Sequence, residues 1–281
     1  MRTIVTCICC KNSISCTDLK GLRRCTLCGH VWADTMLSDE EMQALYASKY
    51  FQGQVYLDYE KEQPALRRNF IGRLVELQKM YPRGSHLWEI GAAYGFFIDE
   101  AAKWFDAAGC DISEHAASQA RKRGLQVITG DYLDMPAPPQ PRDIVCLWDT
   151  IEHLRTPHLY LEKAAHELRS GGMLVFSTGD IASRLARWRG EKWRLIEPPI
   201  HLHYFCPASA MALLQRLGFR LPRICYHAFW RHADAVVFQL LANPPTRRTA
   251  PLYRCLKTAG LLEFYFPINT FDLMTVSAIK K

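Results

Sequence analysis

The stretch HLWEIGAAYGFF, residues 86–97, decides the fold of this chain. Its apolar run ends at Glu89 and Ile90 and is followed by Gly91 and Gly95, a pattern that indicates a strand turning into a helix. Glycine allows the backbone of such a turn to approach a ligand closely. The stretch lacks the tighter G-x-G-x-x-G turn that cradles phosphates. A carboxylate at Glu89 would repel a pyrophosphate but would attract a cation such as an amino acid's ammonium group.

Short apolar runs alternate with helix patterns beyond this turn. The further strand candidates are AAGCDI, QVITG, DIVCLWD, MLVFSTG, LPRICYHAF, AVVFQLL and LMTVSAIKK. Such alternation predicts an α/β domain over residues 61–281, built as a doubly wound, mostly parallel sheet of about seven strands with helices on both faces. A helix is predicted from Pro64 to Met80, and residues 36–60 read as a connector.

Length and charge narrow the function classes. The chain has 281 residues and a formal net charge of +7, enough for a substantial core and a basic surface. Its start lacks the pattern of a signal peptide, and no run reaches about 18 apolar residues, so we expect a cytoplasmic protein with no membrane span. An anionic small-molecule acceptor fits the charge. Nucleic acid ranks lower because it demands a longer basic stripe.

Cysteines cluster at the start of the chain. Cys7 and Cys10 form one C-x2-C pair, Cys25 and Cys28 form a second, and 14 residues separate the pairs. Two such turns supply the tetrahedral set of four thiolates that zinc prefers, and four cysteines leave no open position for catalysis. Residues 1–35 are therefore predicted to be a small zinc-ribbon-like unit with a structural zinc, the alternative being reduced cysteines in a flexible tail. Other residues there could also act as ligands: Cys9, Cys16 and His30.

Acidic residues end the next two predicted strands. Asp111 lies twenty residues beyond Gly91, the usual place for an acid that accepts the hydroxyls of an adenosine ribose. Asp131 could accept the exocyclic amine of adenine, and the adjacent Tyr132 could pack on the ring. Ribose, adenine and an ammonium group together describe S-adenosylmethionine. The alternative is that these acids cap the helices that follow.

These motifs occur in a characteristic order. The set EIGAAYG, GCDIS, TGDYLDMP, DIVCLWDTIEHL and LRSGGMLVFSTGD resembles the class I S-adenosylmethionine-dependent methyltransferases over roughly residues 60–281. The resemblance implies a Rossmann-like methyltransferase fold with a cofactor site lined by Glu89, Gly91, Gly95, Asp111, Asp131 and Tyr132, closed at the side by Trp148 and Asp149. WDTIEHL and EPPIHLHYFCPASAMALLQRLGF are similar to a branch of small-molecule methyltransferases, some of which carry an N-terminal zinc-binding segment. Ala93 departs from the glycine of many relatives.

Three histidines are candidates for moving a proton. His153 follows the fourth strand, where an acceptor must approach the methyl group, and a neutral imidazole there could act as a base. His201 and His203 alternate with apolar residues, so one face of that segment carries both. Each could instead be a packed or solvent-facing histidine. Residues 183–199, rich in basic residues and tryptophan, could form a lid over an anionic or sugar-bearing acceptor or a solvated amphipathic helix.

The sequence thus favours a methyltransferase with a structural zinc that acts on a small molecule, with oxygen as the preferred acceptor atom. A sugar, a lipid-linked compound or a secondary-metabolite intermediate would suit it. A non-catalytic zinc-ribbon and methyltransferase-like module that binds RNA or protein is the alternative of a different class. An NAD-dependent dehydrogenase ranks below both, because the phosphate turn is absent.

Overall fold

The computed structural model describes residues 6–12, 15–17, 19, 21–33, 59–241 and 248–281. The connector predicted at residues 36–60 lies outside the described residues, except for its last two, which begin a helix. None of the helices in the described part of the chain is both long and apolar enough to cross a bilayer.

Small strands come first, and an alternating α/β region follows. In chain order the elements are β1 (Ser15–Thr17), β2 (Leu22–Cys25), β3 (Val31–Ala33), α1 (Tyr59–Gln78), β4 (His86–Ile90), α2 (Phe96–Ala101), β5 (Asp106–Asp111), α3 (Glu114–Lys122), β6 (Val127–Thr129), β7 (Arg142–Trp148), α4 (Pro157–Glu167), β8 (Leu168–Gly179), α5 (Arg184–Arg189), β9 (His203–Tyr204), α6 (Pro207–Arg216), β10 (Phe219–Cys225), β11 (Phe229–His232), α7 (Ala233–Leu241), α8 (Ala250–Thr258), β12 (Tyr265–Ile268) and β13 (Leu273–Lys280).

The main sheet has seven strands in the order β10-β13-β8-β7-β4-β5-β6. Strands β4 to β8 pair in parallel, whereas β13 is antiparallel to both of its neighbours. This confirms the predicted mostly parallel, doubly wound sheet. The chain reverses its direction of winding between β4 and β7, and ligands of open α/β sheets bind outside the carboxyl ends of the strands at such a point.

The core surrounds the central strand β7. Ile144, Val145, Cys146 and Leu147 are each 0% exposed, so β7 is buried on both faces. That explains why its sequence is a continuous apolar run rather than an alternating one. The helix predicted from Pro64 to Met80 corresponds to α1, which begins earlier and ends at Gln78. Its apolar stripe is covered only in part, since Ile71 and Val75 are exposed.

The prediction that AVVFQLL forms a strand is wrong, because these residues lie in α7. Val237 and Leu241 of α7 pack beside Tyr253 of α8, and this pair of helices adjoins the small antiparallel sheet of β11 and β12. A short apolar run fits a buried strand and one side of a helix equally well, so periodicity alone could not separate them.

The N-terminal unit shares a sheet with the rest of the chain. Strands β1, β2 and β3 form an antiparallel sheet whose fourth strand is β9, which pairs Tyr204 with Val31 and His203 with Trp32. The guanidinium of Arg216 on α6 also donates hydrogen bonds to backbone carbonyls of the first cysteine turn. The unit predicted at residues 1–35 is therefore completed by a strand from the α/β region.

Candidate functional site

Three predicted acids lie at one edge of the main sheet. Glu89, Asp111 and Asp131 follow or end β4, β5 and β6, which are adjacent and parallel. Because the carboxyl ends of parallel strands meet at one edge, the three acids lie along that edge, and Glu89 lies at the winding switch between β4 and β7. The negative charge of Asp111 raises the pKa of Glu89, so these two carboxyl groups interact electrostatically.

Glu89 is a buried acid without a hydrogen-bond partner for one of its oxygens. The residue is 2% exposed, and its Oε2 atom lies in the interior unbonded. Burial, followed by the charge of Asp111, raises the pKa of Glu89 well above its usual value, while Arg73 opposes the shift. A ligand cation beside Oε2 would supply the missing partner, and the ammonium group of S-adenosylmethionine has the required charge and donors.

Asp111 already holds the turn between β4 and α2. Its Oδ2 accepts a hydrogen bond from the Ala93 amide at 2.7 Å, and its Oδ1 accepts one from the Ser113 amide at 2.8 Å. Burial raises the pKa of Asp111, and the two backbone donors oppose that rise. A carboxylate offers about four lone-pair sites, so capacity remains for the hydroxyls of a ribose. The structural role and a ligand role are compatible.

The glycine turn has left-handed backbone geometry at three positions. Gly91 has φ 78°, Gly95 has φ 71° and Ala93 has φ 45°. An L-residue in this region costs roughly 1–2 kcal/mol, so this backbone conformation would suit glycine better than alanine at position 93. A Cβ atom on Gly91 would lie 2.5 Å from Thr150 Oγ1, and one on Gly95 would press on Ala120. Both glycines are thus required by packing, with or without a ligand.

Gly91→Ala is expected to destabilise the fold by about 2–4 kcal/mol, because left-handed strain adds to a clash with Thr150. Gly124→Ala is the matched control, since Gly124 has φ 80° and a Cβ there meets nothing within 4 Å. Urea unfolding of both variants measures the difference. Equal loss of stability in the two would mean that Thr150 yields and that the close packing at Gly91 is unimportant.

Asp131 and Tyr132 are held by protein contacts. The Oδ1 atom of Asp131 accepts a hydrogen bond from the Leu133 amide at 2.8 Å, and the Tyr160 hydroxyl lies 2.7 Å from each of its oxygens. Tyr132 is 1% exposed and donates its hydroxyl to Glu167 at 2.6 Å. Tyr132 therefore packs in the core rather than on an open surface.

Sequence reasoning missed Arg73, which lies on α1 near the end of β7. Its guanidinium stacks on the ring of Trp148 at 4.4 Å, and its Nη2 atom is 3.6 Å from Asp149 Oδ2. Asp149 has φ 51° and is fixed by the Ser177 hydroxyl, which donates to it at 2.7 Å. No motif surrounds Arg73, so only the packing of α1 against the strand ends reveals it.

His153 and His201 lie side by side after β7. Their ring centroids are 4.7 Å apart, and one ligand atom from each lies within 4.8 Å of a carboxylate oxygen of Glu152. Burial, then the neighbouring His201, lowers the pKa of His153 to about 3, and burial likewise lowers that of His201. Burial, then the charge of Asp149, raises the pKa of Glu152 to about 8.

His203 lies elsewhere, between the main domain and the cysteine turns. Its Nδ1 atom is 3.2 Å from Nε2 of His30, and its Nε2 atom is 3.2 Å from the carbonyl oxygen of Arg155. Its ring stacks on that of His30 with centroids 5.3 Å apart. Burial lowers the pKa of His203 to about 4. Both ring nitrogens are engaged, so His203 links the cysteine turns to the main domain.

The four predicted zinc ligands converge. The Sγ atoms of Cys7 and Cys28 are 3.6 Å apart, those of Cys10 and Cys25 are 3.5 Å apart, and all four lie within 4.8 Å of one another. A tetrahedron with Zn–S bonds of about 2.3 Å has edges of about 3.8 Å. The sulfur set therefore fits one zinc ion. His30 bonds to His203 instead of joining the set.

The strand order, with its antiparallel β13, and the acidic glycine turn at the winding switch define a methyltransferase-type α/β fold. The family described as "Methyltransferase domain" matches residues 60–223, more than half of the chain, and the chain belongs to that family. The protein therefore carries a methyltransferase domain, with the fold of solved S-adenosylmethionine-dependent methyltransferases.

Relatives and solved structures agree with this fold. An uncharacterized protein of Methanocaldococcus jannaschii is 29% identical over 145 residues, which span 51% of this chain and 68% of that protein. A possible histamine N-methyltransferase from Thermotoga maritima superposes with a TM-score of 0.53 and 21% sequence identity. The match covers 80% of this chain and 95% of the Thermotoga chain. Magnesium protoporphyrin IX methyltransferase of Synechocystis, solved with bound S-adenosylhomocysteine, superposes with a TM-score of 0.56 and 12% sequence identity. The match covers 87% of this chain and 100% of the Synechocystis chain.

Proposed function

We propose that this methyltransferase moves the methyl group of S-adenosylmethionine to an oxygen of a small molecule, such as a sugar, a lipid-linked compound or a secondary-metabolite intermediate. The observation that carries the cofactor assignment is the unbonded, buried Oε2 atom of Glu89 beside Asp111. A buried anionic oxygen without a donor is costly, and a cationic ligand removes that cost.

Each cofactor residue has a distinct proposed role. Glu89 binds the ammonium group, Asp111 accepts the ribose hydroxyls, and Asp131 accepts the adenine amine. Arg73 binds the carboxylate of the methionine part, since its guanidinium is a bidentate donor and lies near the same strand ends. A final group shapes the pocket around these contacts: Gly91, Gly95, Trp148 and Asp149.

The bound cofactor supplies a methyl group on a sulfonium. The acceptor oxygen attacks the methyl carbon in line, and the sulfur is the leaving group. The protein's main task is to align the acceptor with that methyl group and to exclude water. His153 and His201 lie just beyond the end of β7, on the side from which an acceptor would approach, and are proposed to contact the acceptor hydroxyl. Burial lowers the pKa of both imidazoles, so they are neutral near pH 7 and can help to orient that hydroxyl.

The surface near α5 supports an acceptor with an apolar and an anionic part. A groove of about 650 Å³ is lined by Arg184, Leu185, Trp188, Thr270 and Phe271, and the Trp188 side chain is 77% exposed. Its volume lies within the range of small-molecule sites. Exposed basic residues continue along the segment predicted to be a lid: Arg187, Arg189 and Lys192. Aromatic walls beside guanidinium groups suit a sugar or an anionic headgroup.

Glu89→Gln is expected to weaken S-adenosylhomocysteine binding by about 10- to 100-fold, since it replaces a charged contact with the ammonium group by a neutral one. Binding of 5′-methylthioadenosine, which has no amino-acid part, should stay within about twofold. Calorimetric titration of both ligands into both proteins measures this difference. Equal weakening of the two ligands would contradict the ammonium assignment and point to a distorted pocket.

Thermal unfolding of the wild-type protein tests the function class itself. S-adenosylhomocysteine should raise the melting temperature, because a ligand that binds only the native state stabilises it, whereas NAD should not. Incubating acceptor candidates with methyl-labelled cofactor, followed by mass spectrometry of the product, then identifies the methylated atom. A shift with NAD alone would overturn the proposal. A non-catalytic module would bind the cofactor product without ever labelling an acceptor.

A further inference from the structure

We infer that Glu152, His153 and His201 form a second metal site, distinct from the cysteine cluster, which holds a divalent transition-metal ion such as zinc beside the acceptor. One ligand atom from each residue lies within 4.8 Å of the other two. Two histidines and one carboxylate are a set that binds catalytic zinc and ferrous iron. The inference rests on the proposed function, because it assigns the ion a role toward the acceptor hydroxyl.

Two polar atoms of these residues lie buried without a partner. Glu152 is 5% exposed and His201 is 3% exposed, and neither Oε2 of Glu152 nor Nε2 of His201 makes a hydrogen bond. Among the described residues no cationic side chain forms an ion pair with Glu152, and Asp149 adds a further negative charge nearby. A small cation between these two atoms would satisfy both at once.

The surroundings of His201 match those of a metal ligand. Nδ1 of His201 is 2.8 Å from the carbonyl oxygen of Leu195, and Nδ1 of His153 is 3.1 Å from that of Ile200. A carbonyl only accepts, so Nδ1 of His201 carries the proton and its Nε2 keeps the lone pair that a metal needs. Metal-bound histidines almost always donate their other N–H group to a carboxylate, carbonyl or water in this manner.

A small cavity adjoins Glu152 and His201. It has a volume of about 10 Å³ and is lined by both Glu152 and His201, with Thr178, Trp193 and Leu195 among its walls. That space suits one water-sized particle. Three protein ligands leave at least one coordination position open, as in catalytic rather than structural zinc sites. The cysteine cluster, with four thiolates, is closed by comparison.

The open position gives the ion a chemical role. A divalent ion lowers the pKa of a bound hydroxyl and orients its oxygen. The hydroxyl proton passes to solvent water, the oxygen forms the new C–O bond, and the C–S bond breaks with its electron pair remaining on sulfur. Methyl transfer then yields a methyl ether and S-adenosylhomocysteine. No oxidant or reductant is required.

Metal content tests the site independently of activity. Wild-type protein and the variants His201→Gln and Glu152→Gln are each incubated with Zn²⁺ and dialysed against metal-free buffer. Plasma mass spectrometry should find one metal equivalent per chain fewer in each variant than in the wild type. His166→Gln, on the exposed end of α4, should lose none. X-ray absorption of wild-type protein should show nitrogen or oxygen ligands at about 2.0–2.1 Å beside sulfur at about 2.3 Å, and the variants should show sulfur alone.

An all-sulfur spectrum of the wild-type protein would overturn the inference even if the variants failed to fold. Equal metal content in wild-type protein and both folded variants would overturn it as well. Titration with S-adenosylhomocysteine separates this failure from failure of the proposed function. Both variants should bind that ligand as the wild type does, whereas absence of binding in the wild type would contradict the cofactor assignment alone.

Discussion

Replacing Asp111 with alanine is expected to weaken S-adenosylhomocysteine binding by at least about 100-fold. Two hydrogen bonds to a charged acceptor contribute roughly 1.5 kcal/mol or more each, and their loss removes about 3 kcal/mol of binding free energy. Unlike Glu89→Gln, this variant should weaken the binding of 5′-methylthioadenosine by about the same factor as that of S-adenosylhomocysteine, because both ligands contain the ribose. Calorimetric titration of both ligands provides the comparison.

Asp111→Ala should also lower the stability of the fold. The carboxylate accepts hydrogen bonds from the Ala93 and Ser113 amides, and each buried amide left without an acceptor costs about 1–3 kcal/mol. Asp106→Ala is the control, because Asp106 is exposed at the opposite end of the same strand. Normal affinity in a folded Asp111→Ala variant would remove the ribose assignment. Weakened affinity after Asp106→Ala would show that the effect is not local.

The sequence predicted the main sheet because each central strand is a short apolar run that ends in a turn residue. Strand β7 is the clearest case, since it is buried on both faces and its sequence shows that directly. The acids at the strand ends were found for the same reason, because a parallel sheet brings them to one edge. Strand existence and the positions of Glu89 and Asp111 thus follow from local sequence and topology.

Features that depend on packing between distant segments could not be predicted. The strand candidate at residues 235–241 is a helix because α8 and the β11–β12 sheet pack against it. Tyr132 follows a predicted ligand acid, yet its hydroxyl bonds to Glu167, which is 35 residues away. Likewise, His153 and His201 meet only because the segment after α5 returns to the end of β7. The spacing of residues along the sequence does not predict such contacts.

The cysteine turns are expected to support the acceptor side of the site. Strand β3, which follows the second cysteine pair, is the partner of β9, and His203 on β9 contacts His30. His201 lies two residues before His203, so the position of its ring depends on that junction. We therefore expect loss of the cysteine-bound zinc to disturb the histidine cluster more than the cofactor residues at the ends of β4 and β5.

Cys25→Ser is expected to release one zinc ion per chain and to destabilise the protein by on the order of 4 kcal/mol, because a unit this small depends on its metal to fold. The melting temperature should fall by roughly 8–16 °C. Metal analysis and thermal unfolding measure both effects. S-adenosylhomocysteine affinity should change by less than about threefold, while methylation of an acceptor should fall at least about tenfold.

Cys16→Ser provides the matched control within the same unit. Cys16 is exposed and lies outside the cluster of four sulfur atoms, and its Sγ atom donates a long hydrogen bond of 3.9 Å to the carbonyl oxygen of Arg24. This variant should keep its zinc, its melting temperature and its turnover. If Cys25→Ser behaved in the same way, the four sulfur atoms would not be a zinc site. If it lost zinc but kept full turnover, the junction at His30 and His203 would not position the acceptor side, and the zinc would stabilise the N-terminal sheet alone.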